Sequence, residues 1–289
     1  RQVRRTPWHE GQPIDVAAVT EALMHDSAQD IVAVFAVHTD TASGVTSDLA
    51  ALRRAMDDSG HPALLVVDAV ASLGVEPLHM DALRANGVMG ASQKGLMCPP
   101  GLGLVAVDAQ ALAVSQRNPA PRYYWDWELR RGPMSYQKFC GTPPVNLMAG
   151  LEAALGLIFS EGLPQVWARH ALRSRAVQAA VQGWREGGAV DFFCADPARR
   201  SAAVTAITLD PRFDVDALRT VAREQFQVAI AGGLGALFGR AFRIGHLGDQ
   251  NAPGVLGALA GVEAALLAQG VPLGQGGMQR AVAVIAQGL

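Results

Sequence analysis

Between residues 31 and 108 the chain alternates short apolar runs with amphipathic helical stretches, and this alternation restricts the fold more than any other feature. "IVAVFAVHT" (31–39) and "ALLVVDAVASLG" (63–74) are apolar at consecutive positions and flank "DLAALRRAMDDSG" (48–60), an amphipathic helical pattern. Runs of strand length that are apolar on both faces, separated by helices, specify a parallel sheet covered on both sides. "VMGAS" (88–92) and "LGLVAVD" (102–108) read as two further short strands, with Lys94 in the turn between them and Pro99 and Pro100 stiffening it. The expected fold class is therefore α/β, with a mostly parallel central sheet and helices on both faces.

Beyond residue 114 the pattern loosens. "SQRNPAPRYYWDWELRRGPMSYQKFCGTPP" (115–144) holds all three tyrosines and two of the five tryptophans, as a surface loop or the wall of a site. After Pro144 come two long helical stretches, "VNLMAGLEAALGLIFSEGL" and "QVWARHALRSRAVQAAVQGW"; the arginines of the second read as a solvated face. Strand candidates "AAVTAITLD" and "AFRIGHLG" then alternate with helices "DVDALRTVAREQF" and "GVLGALAGVEAALLAQG", which suits a smaller α+β domain. The expected division is residues 1–143 for a large domain and 144–289 for a connecting helix and small C-terminal domain. The cluster "AGGLGALFG" (231–239) lacks dinucleotide or phosphate-loop spacing and reads as turns.

Composition narrows the function classes. Half of the 289 residues are hydrophobic and 17% are charged, which excludes extensive disorder. A net charge of -2, without basic patches interleaved with aromatics, offers nucleic acid no electrostatic footprint. The uncharged runs, such as Val228 to Gly239, are interrupted by glycine and polar residues and fall below the roughly 18 apolar residues of a membrane span. Cys98, Cys140 and Cys194 match neither a metal-ligand spacing nor a disulfide framework, so no metal is expected and a reducing compartment, the cytoplasm, is. The opening "RQVRRTPWHEG" has no initiator methionine and no signal-peptide layout, which raises the expectation that the sequence was processed or begins partway through a longer one.

Two isolated charges mark the candidate site. Lys94 is the only charge from Ala85 to Val107, and Asp68 is the only one between Pro62 and Val75, where it closes "LLVVD". A charge in such surroundings is costly unless it is used, and ligands of parallel sheets sit at the carboxyl ends of the strands. Lys94 could equally be a loop lysine reaching water, and Asp68 a helix cap or the partner of an arginine. Together they match pyridoxal 5'-phosphate, whose aldehyde needs a lysine amine and whose pyridine nitrogen needs a carboxylate. His38 and the hydroxyls of Thr39 and Thr41, in "VHTDTASG", would lie at the same edge, available to the phenolic oxygen. Arg243, in "FRIGH", suits bidentate capture of a substrate carboxylate, or a structural ion pair.

The segments "HTDTASGV", "VVDAVASLG", "GASQKGLMCPPGLG", "CGTPPVNLMAGL" and "FRIGHLG", in that order, resemble class V aminotransferases of pyridoxal-phosphate fold type I. They look most like the alanine/serine:glyoxylate branch, which includes serine-glyoxylate and aspartate-glyoxylate enzymes. The resemblance implies Lys94 as the Schiff-base lysine, Gln93 beside it on the cofactor, Asp68 on the pyridine nitrogen and Thr41 near the phenolic oxygen. It implies Arg243 on the substrate α-carboxylate, and a homodimer in which Thr142 reaches the phosphate of the neighbouring subunit's site. The implied reaction is ping-pong transamination from a small amino acid (serine, alanine or aspartate) to a 2-oxo acid, glyoxylate or pyruvate. The alternatives are a class V lyase such as a cysteine desulfurase, or a non-catalytic protein of the same fold. Desulfurases usually carry a histidine where this chain has Gln93, and Cys98 on its stiffened turn reads as structural. Some family members have a phosphate-contacting tyrosine where this chain has Phe139, with Tyr136 nearby. Members also have roughly a hundred residues before the position matching Arg1, including a loop that cradles the phosphate at a helix start, so the expectation is a fold incomplete at the N-terminus.

Overall fold

A computed structural model describes residues 2–288; Arg1 and Leu289, the outer ends of the two expected segments, lie outside the described residues. Helix α1 (Val16–Met24) leads into β1 (Ala33–Val37), a ribbon of β2 (Thr39–Asp40) and β3 (Val45–Thr46), α2 (Leu49–Asp58) and β4 (Leu64–Asp68). Short helix α3 (Met80–Leu83), β5 (Gly87–Ala91), β6 (Gly103–Val107) and α4 (Ala109–Gln116) follow. The aromatic-rich stretch carries a 3-10 turn at Tyr123–Trp125, α5 (Trp127–Arg130) and α6 (Ser135–Phe139), before the long helices α7 (Val145–Glu161) and α8 (Leu163–Arg185). The remainder runs β7 (Val190–Phe192), β8 (Val204–Leu209), α9 (Val215–Phe226), β9 (Ala231–Gly232), β10 (Ala241–Gly245), α10 (Ala252–Ala268) and α11 (Gly277–Gln287).

Helix starts follow the chemistry of the residue before them. Asp15, Asp48, Asp108 and Asp214 each accept a first-turn backbone N–H, and Asn251 does the same for α10. Each such cap satisfies a donor that the helix leaves unpaired.

The first sheet has the order β1-β4-β5-β6, parallel across β1, β4 and β5 and antiparallel at β6. One face packs on α1 and α2 through Leu23, Leu52, Met56, Leu65 and Val67. On its other face Phe35 and Val105 are exposed. The second sheet, β7-β8-β10-β9, is wholly antiparallel and is packed by α8 to α11 around Trp184, Ile207, Leu218, Phe242, Leu259 and Leu266. A third cluster, Leu96 with Ile158 and Val166, joins the turn after β5 to α7 and α8.

The solvated face expected for the arginines of α8 is only partly present, since Arg173, His170 and Ser174 are buried there. Among the described residues no single helix is long and apolar enough to cross a membrane; the pair α7 and α8 passes the test only jointly, bent by 89°.

Leu52 is fully buried between α2 and the sheet. Leu52→Ala is expected to lower stability by about 2–5 kcal/mol through lost burial and the cavity left behind, read as a lower urea midpoint at unchanged slope.

Candidate active site

Strands β4 and β5 pair in parallel with Asp68 opposite Met89, so the carboxyl ends of both strands meet at one edge of the sheet. Asp68 is half-buried there. Its Oδ1 accepts the Val70 N–H at 2.9 Å, which turns the carboxylate along the strand end. Lys94 follows β5 in a tight turn closed by Met97 N–H to Lys94 C=O at 3.0 Å and Cys98 N–H to Ser92 C=O at 3.0 Å. Ser92 donates its hydroxyl to Pro99 C=O at 2.7 Å, tying the proline-stiffened return to the start of the turn.

That turn lies directly on the loop leaving Asp68. A Cβ at Gly95 would sit 2.3 Å from the Leu73 carbonyl oxygen, so only glycine permits the approach. Lys94 and Asp68 are thereby held on touching segments, although 26 positions separate them in sequence. Lys94 is half-buried and Gln93, beside it, is exposed.

The remaining expected residues divide. Arg243 of β10 reaches across from the second sheet: its Nη1 donates to the Thr41 C=O at 2.6 Å and its Nε to the Gly232 C=O at 2.8 Å. Burial lowers its pKa while Asp40 opposes the shift; a guanidinium remains charged at any working pH. Three of its five N–H donors remain, one on Nη1 and two on Nη2. Thr39, expected to offer its hydroxyl to a ligand, does not, because its Oγ1 donates to Glu76 Oε2 at 2.8 Å. His38 is buried, with Nδ1 2.8 Å from Ser72 Oγ and Nε2 3.9 Å from Glu76 Oε2. Burial lowers its pKa and the Glu76 charge partly restores it. Thr142 is exposed, on the segment between α6 and α7.

Sequence reasoning missed Glu76 and the histidines of the second half. Glu76 is the only formal charge between Asp68 and Asp81, the same signal that singled out Asp68. His246 lies fully buried with Nδ1 2.9 Å from Ala202 C=O and Nε2 3.0 Å from Thr205 Oγ1. His170 is also fully buried; its Nδ1 lies 2.7 Å from Val166 C=O, and its Nε2 accepts the Gly248 N–H at 3.0 Å. Cys98 and Cys194 are free and buried, and no metal-holding cluster of His, Cys, Asp or Glu occurs among the described residues.

Residues 1–238 match the family model described as aminotransferase class-V. The chain belongs to that family. It is 40% identical over 265 residues to a serine-glyoxylate aminotransferase of Methylorubrum extorquens, covering 89% of this chain and 64% of the relative. It is 37% identical over 268 residues to an L-aspartate-glyoxylate aminotransferase of Paracoccus denitrificans, covering 93% and 66%. The chain thus spans just under two thirds of the length of these class V relatives. The crystal structure of a pyridoxamine-pyruvate aminotransferase from Mesorhizobium loti superposes with a TM-score of 0.85 at 33% identity, over 96% of this chain and 70% of that one. The architecture is accordingly the α/β fold type I of pyridoxal-phosphate enzymes.

The buried histidines generate a pH prediction for this class V chain. Burial pushes the pKa of both His170 and His246 down to about 4 from an ordinary 6.5. Each binds its proton more weakly folded than unfolded, so its contribution is complete above pH 6.5 and is lost as pH falls toward 4. The loss is on the order of 3 kcal/mol apiece at most. Chemical denaturation between those pH values is expected to show this slope, and His246→Asn to flatten it.

Proposed function

We propose that this protein is a pyridoxal 5'-phosphate-dependent aminotransferase. It would move the amino group of a small amino acid (serine, alanine or aspartate) to a 2-oxo acid, with glyoxylate first and pyruvate second, by ping-pong transamination. The observation that carries this reading is the contact of the Lys94 turn with the loop leaving Asp68, through Gly95 and Leu73. It puts a primary amine and a carboxylate on touching segments at the carboxyl edge of a parallel sheet, and that donor set fits the cofactor's aldehyde and ring nitrogen.

The cofactor, when bound, supplies an electron sink for the charge left on the substrate's α-carbon. Lys94 would hold its aldehyde carbon covalently. Released as a neutral amine by the incoming substrate, Lys94 would accept the α-proton as general base and return it as general acid. Asp68 would keep the ring nitrogen protonated, an electrostatic role that matters most as negative charge develops. Gln93 and the Thr41 hydroxyl would lie against the cofactor. Arg243 would take the α-carboxylate through the N–H groups left to it, its Nε and one Nη1 N–H being committed to Gly232 and Thr41.

The same reading includes a homodimer in which Thr142 serves the phosphate of the neighbouring subunit's site. The exposed Tyr123, Trp125, Tyr136, Leu157 and Phe159 supply apolar surface for such an interface. A division into residues 1–143, carrying Lys94 and Asp68, and 144–289, carrying Arg243, is supported by the separate apolar cores of the two sheets. A cytoplasmic location accords with the free cysteines.

The test is the visible absorption of the purified protein with pyridoxal 5'-phosphate. We expect a band that one amino donor bleaches and glyoxylate restores, and no such band in Lys94→Ala. Turnover by that variant should fall by about 10²–10⁴-fold or more. A wild-type protein that stays colourless with the cofactor would contradict the reading. Arg243→Ala should raise the donor's KM by about 10- to 100-fold while leaving the band in place, as expected for loss of a charge-assisted hydrogen-bond pair. Sedimentation is expected to give twice the mass of one chain.

A further inference from the structure

Glu76 is a carboxylate that three separate segments converge on. Its Oε1 accepts the Ala202 N–H at 2.6 Å and the Ser201 hydroxyl at 3.1 Å, and its Oε2 accepts the Thr39 hydroxyl at 2.8 Å. The Thr46 hydroxyl reaches both oxygens, at 3.2 and 3.1 Å. Its side chain is only 10% exposed. The oxygens of a carboxylate so enclosed find their partners within the protein, and hydrogen bonds to a carboxylate are stronger than those between neutral groups.

The loop of Glu76 and the ribbon each carry a proposed site residue, and the segment of Ser201 and Ala202 leads to a third through β8 and β10. Glu76 itself lies eight positions after Asp68, on the loop whose Leu73 carbonyl meets Gly95 of the Lys94 turn. Thr39 and Thr46 are the paired residues at the base of the β2–β3 ribbon, and the ribbon's turn carries Thr41. Ala202 and Ser201 precede β8, which pairs with β10; Ala202 C=O also lies 2.9 Å from His246 Nδ1, three positions after Arg243. The contacts of this line with the ribbon continue in the Ser201 N–H to Gly44 C=O bond at 3.0 Å.

We propose that Glu76 is a positioning residue for substrate binding: by accepting from Thr39, Thr46, Ser201 and Ala202 at once, it fixes Arg243 in register with Thr41, Asp68 and Lys94. It touches none of the reacting atoms and acts through the segments it joins. Losing it frees β10 and the ribbon to shift against the Asp68 loop, so the guanidinium no longer meets the α-carboxylate at the distance set by the cofactor. The Lys94 turn and Asp68 keep their own contacts, through Gly95 and Val70. The expected defect is therefore in substrate capture rather than in cofactor retention. The kinetic part of this inference rests on the aminotransferase reading; the structural part does not.

The test uses Glu76→Ala and Glu76→Gln in the otherwise unchanged protein, with two readouts. The first is amide hydrogen exchange of the cofactor-free protein. Glu76→Ala should speed exchange in peptides covering 39–46 and 200–206 while peptides of the second core, 176–184, exchange as in wild type. The second is steady-state kinetics with the cofactor bound. Glu76→Ala should raise the donor's KM by about tenfold, the equivalent of one lost charge-assisted hydrogen bond, with kcat changed less and visible absorption retained. Glu76→Gln keeps one acceptor oxygen for Ala202 and gains an amide donor, and should recover most of both losses. Wild-type exchange rates at 39–46 and 200–206 in Glu76→Ala would overturn the proposal. So would exchange accelerated uniformly across the chain, which would make Glu76 a residue of general stability, or a kcat loss with unchanged KM. A colourless wild-type protein would instead overturn the aminotransferase reading and leave the exchange comparison to decide the role of Glu76.

Discussion

The arrangement of the site depends on one close approach, that of the Gly95 backbone to the Leu73 carbonyl. A methyl group there would overlap the oxygen, so the turn bearing Lys94 can rest on the loop bearing Asp68 and Glu76 only while residue 95 has no side chain. Parallel pairing of β4 with β1 and β5 brings three strand ends to one edge, as the right-handed succession of strands and helices requires. Pairing alone leaves the turns free to diverge. The glycine contact decides that they converge.

Two kinds of interaction then hold different parts of the molecule. Each sheet is packed by helices through aliphatic and aromatic side chains, a non-directional attraction proportional to the area removed from water. The line where the β2–β3 ribbon meets the approach to β8 is polar instead: Glu76 with its four donors, His246 on Ala202, and the Ser201 and Gly44 backbones. Hydrogen bonds specify distance and angle in a way that apolar contact does not. The proposed site, which draws on residues of both sheets, needs that definition along the line where they meet. A second polar junction lies at Gly248, whose N–H donates to His170 and whose C=O accepts from Arg169 at 2.8 Å. Gly248 also approaches the Lys94 carbonyl, since a Cβ there would lie 3.9 Å from it.

Much of the fold was legible in the chain. Three of the four strands and the helix read between residues 31 and 108 occur within about two residues of their runs, while the run at 63–74 forms a strand only from Leu64 to Asp68 and continues as turns. The helices at 145–161 and 215–226 are present as their helical periodicity indicates. Elements that were not read include α1, α3, α4, α5, α6, β7, β9, α11 and the two-residue strands of the ribbon, most of them short. Their order comes from contacts made elsewhere, as in the packing of α11 on α8. Arg173 read as part of a solvated helix face because sequence periodicity cannot tell water from a polar loop that packs against it.

The site divides in the same way. Isolation in apolar sequence singled out Lys94 and Asp68, and the physical reason is local: a charge among apolar neighbours has few ways to be solvated except through a use. The same argument extended by one residue past Val75 would have reached Glu76, but not its partners, which lie 30 to 126 positions away. Nor could it assign the Thr39 hydroxyl to that carboxylate or the Thr41 carbonyl to Arg243. By itself the sequence determined the main element types, the mostly parallel sheet and two isolated charges, Asp68 at the end of β4 and Lys94 in the turn after β5, because periodicity and local charge act over a few neighbours. Only the tertiary structure decided which of the polar groups face one another, because strand register and a glycine-sized approach bring together residues that share no local pattern.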